Sequence, residues 1–123
     1  MGMYTELVLK VQIKEDIPNE ISNVLNYLFN NEILDNISPP KHPFFETPRW
    51  TMVGRCSSYY HIPWSCSQYE KNYIFSRSDF KDYSNEIELF LDWLNPYIDG
   101  TQGECIGWTW YETKRTPTLR FKK

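Results

Sequence analysis

Residues 3–14 alternate between two side-chain classes, and that run sets the terms for the whole fold. Met3, Thr5, Leu7, Leu9, Val11 and Ile13 share one parity, while Tyr4, Glu6, Lys10, Gln12 and Lys14 share the other. Successive strand residues point to opposite faces, so this is a strand with one buried face and one wet face. Such a strand needs a second layer to cover its apolar side. The next segment supplies one. Asp16 and Pro18 suit the first turn of a helix. Ile21, Val24, Leu25, Leu28 and Phe29 then follow at spacings of three and four, the stripe of an amphipathic helix.

From Asn30 to Pro48 the periodicity stops. Pro39, Pro40, Pro43 and Pro48 predict a long ordered loop, and loops of this length are more often functional than plain connectors. Phe44 and Phe45 are suited to pin it to the core. Trp50 to His61 reads as a second strand ended by Pro63, with Tyr69 to Ser76 as its hairpin partner. Ser84 is a candidate N-cap for a second helix running to about Leu94. Ile87, Phe90, Leu91 and Leu94 form its stripe, Leu89 and Trp93 widen it, and Asn95-Pro96 stops it.

After turns at Asp99-Gly100 and Gly103, Cys105 to Thr113 reads as a strand with Ile106, Trp108 and Trp110 on one side. Thr118 to Phe121 reads as an edge strand. The order β-α-β-β-α-β-β predicts an α+β, ferredoxin-like two-layer sandwich, with an antiparallel sheet and both helices on one face. The chain is expected to be a single domain over residues 1–123, large enough for one core.

Hydrophobic residues at 41% and charged residues at 24% fit a globular protein and exclude a disordered one. No apolar run is long enough to span a membrane, and no basic-then-apolar opening marks a secretory signal. Three cysteines without a close framework suit a reducing compartment, so a cytoplasmic location without a membrane partner is expected. A formal charge of −3 counts against general nucleic-acid binding. Yet no acid follows Glu112, while Lys114, Arg115, Arg120, Lys122 and Lys123 do. Those charges suit the guarding of an edge strand, or an anionic partner.

Cys56, His61 and Cys66 have the spacing of the last three ligands of a zinc knuckle, but Val53 stands where the first cysteine belongs. A fourth ligand would have to come from Cys105 or His42, so these three are only a weak metal candidate and no cofactor is expected. Nor is an enzyme. The two histidines, His42 and His61, have no flanking catalytic motif, and Glu86 and Glu88 do not share a helix face. No glycine-rich phosphate loop occurs.

Seven Phe, five Trp and nine Tyr are more large rings than so small a core needs, and exposed rings most often mean binding. The expected protein-binding surface is His42, Phe44 and Phe45 of the loop with Tyr59, Tyr60 and Trp64 of the hairpin. The alternative is a single-stranded nucleic-acid module. There Tyr73 and Phe75 would stack bases on an open sheet face, and Lys71, Arg77 and Arg120 would contact phosphates. Trp108 and Trp110 could join that platform but fit the core better, whereas Tyr4, Tyr59 and Tyr111 suit exposure. The aromatic and basic signature of RNA-recognition strands is missing. Homodimerisation through a flat aromatic face is a further option.

Several pieces in a constant order resemble a group of short proteins of tailed bacteriophages and prophages. They are Met3-Tyr4-Thr5-Glu6, His42-Pro43-Phe44-Phe45 leading to Arg49-Trp50, Ser58-Tyr59-Tyr60, and Asn85-Glu86-Ile87-Glu88 with Phe90. To these are added Asp92 through Gly100, Tyr111-Glu112 and Pro117-Thr118-Leu119. The resemblance implies expression inside a bacterial host and a non-catalytic accessory factor that binds a host protein, counter-defence included. It implies no site residues, and Cys56, His61 and Cys66 are not part of the shared pattern.

Overall fold

The computed structural model describes residues 3–33, 39–55 and 67–123. It is an α+β structure built on a five-stranded antiparallel sheet and two α-helices. The strands are β1 (Thr5–Gln12), β2 (Gln68–Glu70), β3 (Tyr73–Phe80), β4 (Cys105–Tyr111) and β5 (Thr118–Phe121), in the order β2-β3-β1-β4-β5. The helices are α1 (Asn19–Phe29) and α2 (Glu86–Leu94). Short 3-10 helices occupy Pro43–Glu46, Trp50–Met52 and Asn95–Tyr97.

β1 sits at the centre and pairs along its whole length with β3, Thr5 opposite Phe80 through Gln12 opposite Tyr73. On its other side Thr5 to Leu9 pair with Tyr111 to Gly107. The parity expected of β1 is borne out: Leu7, Leu9, Val11 and Ile13 are buried in the main cluster. The same cluster holds Ile21, Val24, Leu25, Leu28 and Phe29 of α1 and Ile87, Phe90, Trp93 and Leu94 of α2. Each of the stripes read from sequence therefore finds the core, apart from Leu91, which packs at its margin with Leu89.

The loop between α1 and β2 enters that core. Phe44 is fully buried, its ring 4.9 Å from Phe45, 5.3 Å from Phe90 and 6.1 Å from both Trp50 and Trp93, centroid to centroid. Polar contacts hold the loop on both sides of Phe44. His42 Nδ1 accepts from the Phe44 amide and His42 Nε2 lies 3.0 Å from Asp92 Oδ2 on α2. The fully buried Glu86 accepts from the Arg49 and Ser84 amides and pairs with the Arg49 guanidinium at 3.4 Å. A buried carboxylate is tolerable only when so many donors meet it.

Two expectations about strands need correction. Trp50 does not open a strand: Trp50–Met52 is a 3-10 turn, followed by Gly54 at φ +76°. A side chain at Gly54 would collide with the Phe29 ring, so the chain turns where only glycine fits. The rest of that expected strand, 56–61, lies outside the described residues. Tyr69 to Ser76, read as one strand, instead contains a hairpin. Lys71 and Asn72 both have positive φ, at 53° and 62°, and join β2 to β3 as the two central residues of a tight turn. The usual glycine of such turns is absent, which hid it. The element order survives, with β2 supplied by a different and shorter segment.

Candidate functional site

Residues paired across a ladder share a face, so the registers of β1, β3, β4 and β5 assign every side chain of the sheet. Opposite the core face lie Glu6, Val8, Lys10 and Gln12 of β1. Beside them stand Asp79, Arg77, Phe75 and Tyr73 of β3, in the same sequence of rows. Trp110 and Trp108 of β4 stand opposite Glu6 and Val8, and Leu119 of β5 stands opposite Trp108. Gln68 and Glu70 of β2 complete the far edge.

This face is where large apolar side chains meet solvent. Phe75 is 56% exposed, Leu119 54%, Phe121 52%, Tyr73 42% and Trp110 41%. They form two patches, Tyr73 with Phe75 on one flank and Trp108, Trp110, Leu119 and Phe121 on the other. The polar side chains of β1 run between them. Arg77 Nε donates to Glu6 Oε2 at 2.7 Å in this strip. At one end Tyr4, Glu6, Arg77, Asp79, Trp110, Glu112 and Lys114 line an open depression of about 610 Å³. The indole N–H of Trp110 donates to the Lys114 carbonyl at 2.8 Å, which fixes the ring as its wall.

Trp110 is exposed and Trp108 half-buried, and neither belongs to the core cluster, which corrects the expectation that they fill the core. Ile106 was read as sharing their side, yet Ile106 is buried in the main cluster while Trp110 is exposed. The β4–β5 register shifts between Cys105 and Gly107, and Gly107 has φ +146°. A bulge inserts one residue and breaks the alternation, so the tryptophans emerge on the opposite face. A side chain at Gly107 would collide with the Val8 carbonyl of β1. A glycine inside a strand pattern was the signal that could have given this away. The core side of β4 at these positions is Gly107 and Thr109, both buried.

Of the residues expected to contact a protein partner, His42, Phe44 and Phe45 are among the described residues. Phe44 is a core residue with no exposed area, so the structure removes it from any contact surface. Phe45 is half-buried against Trp50 and Trp93, and His42 is committed to Phe44 and Asp92. Tyr59, Tyr60 and Trp64 lie outside the described residues, as do Cys56, His61 and Cys66. Among the described residues no group of three or more His, Cys, Asp or Glu is arranged to hold a metal, and Cys105 is half-buried with Sγ 3.5 Å from the Gly107 carbonyl.

Of the expected nucleic-acid contacts, Tyr73, Phe75 and Arg77 do share the open face. Lys71 lies in the β2–β3 turn at its margin. Arg120 does not belong with them: it is paired with Gly107 on the core side, bonds Thr109 Oγ1 at 3.1 Å and forms an ion pair with Glu88 of α2. Tyr111 is exposed as expected, at 36%, whereas Tyr4 is half-buried. Sequence reasoning missed Leu119 and Phe121 altogether, because their four-residue strand carries no period long enough to assign a face. The chain matches no family model, no curated protein and no solved structure. The likeness to phage proteins rests on its sequence pieces alone.

Proposed function

We propose that this protein is a non-catalytic recognition module of ferredoxin-like architecture that binds another protein through the open face of its sheet. The architecture is supported by the strand order β2-β3-β1-β4 and by the single cluster that joins alternate β1 residues to both helix stripes. With Phe44 in the core, the contact surface moves from the loop to the sheet. The observation that carries the function is the exposure there of Tyr73, Phe75, Trp110, Leu119 and Phe121 together. Two exposed apolar patches flanking a polar strip on one face are costly in a protein that works alone and normal at an interface. The resemblance to phage proteins makes a bacterial host protein the partner and the bacterial cytoplasm the setting.

Charge decides against nucleic acid as the first choice. On this face and its end depression the acidic Glu6, Glu70, Asp79 and Glu112 outnumber Lys10, Arg77 and Lys114, and Arg77 is already paired with Glu6. A phosphate backbone needs an uncompensated basic surface. The adjacent Tyr73 and Phe75 of β3 still favour single-stranded nucleic acid as a second reading, since neighbouring exposed rings can stack bases.

A photo-crosslinking residue in place of Phe75 tests the protein-binding function in a bacterial cytoplasm. A discrete adduct that is lost on adding Trp110→Ala supports it; adducts that persist unchanged in that variant sink it. Titration with a single-stranded oligonucleotide at low salt tests the second reading, where tryptophan quenching supports it and an unchanged spectrum ends it.

A further inference from the structure

β5 ends the sheet, so among the described residues no strand takes up the backbone groups on its outer edge. We infer that this edge accepts an extended acidic segment of a partner protein, which adds to the sheet as a further strand. The inference rests on the recognition role argued above and supplies its docking mode and the partner's charge.

The backbone of β5 decides which groups are offered. The Lys122 amide donates to the Glu104 carbonyl at 2.9 Å, and the Lys122 carbonyl accepts from the Gly103 amide at 2.8 Å. Both Lys122 groups therefore point to the β4 side. Successive residues of an extended strand turn their amide and carbonyl to opposite edges. Phe121 and Leu119 thus direct theirs to the free edge, each with one donor and one acceptor. Their side chains stand 52% and 54% exposed on the open face, where alternate apolar residues of an added strand would pack beside them. The opposite edge strand, β2, has only three residues, Gln68–Glu70, one of them acidic, and suits an acidic strand less.

Charge selects the occupant. Arg115 stands exposed before the strand, and Lys122 and Lys123 follow it. None of these pairs with an acid among the described residues, whereas Arg120 between them is held by Glu88. Cations at both ends suit a partner strand with acids at its ends, whichever way it runs. They also repel an identical edge. Antiparallel pairing of two β5 strands would set Arg115 of one copy near Lys122 and Lys123 of the other. The charges that bar self-association therefore admit an acidic strand. The outward carbonyls of Leu119 and Phe121 favour a peptide over a phosphate chain, because a peptide brings amide donors to meet them.

The contact is small, so binding should be weak, with a dissociation constant on the order of 100 μM at low salt. The probe is a fluorescent peptide with alternating Val and Thr at its centre and two Glu at each end, titrated into the intact protein. Binding should weaken at least tenfold when Lys replaces every Glu of the peptide. In the complex the amides of Leu119 and Phe121 should gain protection from hydrogen exchange. Arg115→Glu combined with Lys123→Glu, both exposed, should weaken the Glu peptide at least tenfold with an unchanged circular dichroism spectrum. Added salt should narrow that difference. No binding up to about 1 mM overturns the inference, as does equal binding of the Lys peptide or protection confined to other strands. A single-stranded oligonucleotide that binds through the same cations more tightly than the peptide, without protecting those amides, overturns it in favour of nucleic acid. A peptide that fails while position 75 still crosslinks a protein removes the edge docking and leaves the recognition face standing.

Discussion

Phe44→Ala should cost this protein more than alanine at any other described ring of the loop before β2. The ring is fully buried and touches Phe45, Trp50, Phe90 and Trp93, so the change deletes one side of four aromatic contacts. Replacing a buried Phe by Ala removes about 3–5 kcal/mol through lost transfer energy and the cavity left behind. Unfolding entropy near 2.1 cal/mol/K per residue gives about 0.26 kcal/mol/K for 123 residues. A loss of about 4 kcal/mol therefore lowers Tm by about 15 °C. Against a total of about 5–15 kcal/mol, that is a large share of the stability. Thermal melts followed by circular dichroism measure it, with urea unfolding as a second reading of the same difference. Phe75→Ala is the control, because an exposed ring should change stability by no more than about 0.5 kcal/mol. A drop in Tm below about 3 °C for Phe44→Ala would refute the assignment of this loop to the core.

Other outcomes follow from single groups. Lys71→Asn should raise stability by about 0.5–1 kcal/mol, because asparagine tolerates the left-handed conformation that Lys71 adopts at φ 53°; urea midpoints measure it. Gly107→Ala should destabilise by about 1–3 kcal/mol or more through backbone strain and collision with the Val8 carbonyl, visible as loss of amide protection in β1 and β4. Glu86→Ala should cost about 1–3 kcal/mol, since it removes the acceptor of the Arg49 and Ser84 amides and the partner of the Arg49 guanidinium; the loss appears in the same melts. Burial raises the Asp82 carboxyl above its ordinary value, and the amide of Ile87 only partly opposes this. A carboxyl raised in the folded state binds its proton more tightly there, so its contribution declines as pH rises from about 4 through the folded value. Asp82→Asn should therefore gain stability relative to wild type near neutral pH, and the gain should fade toward pH 4.

Much of the fold was legible because the chain signals its layers with simple periods. The first strand and both helix stripes follow patterns of two and of three or four, and each reached the core as read. Failure came where one backbone residue overrode a side-chain pattern. The Lys71-Asn72 turn uses left-handed residues that are not glycine, so Asn72 alone marks it in the composition of 69–76. Gly107 turns Trp108 and Trp110 out of the core they seemed to fill, and that moved the candidate site from the loop to the sheet. Face assignment also needs pairing partners. Leu119 and Phe121 join the exposed patch only through a register with β4, which a four-residue segment cannot specify.

The open aromatic face is the centre of the account, and mapping contacts from both sides of the molecule tests it most directly. A photo-crosslinking residue is placed at Phe75 on that face in one variant and at the exposed Glu20 of α1 in another, each in otherwise intact protein. Adducts from position 75 and none from position 20 are the expected result, whether the captured molecule is a second copy or another protein. Adducts from position 20 with none from position 75 would contradict it.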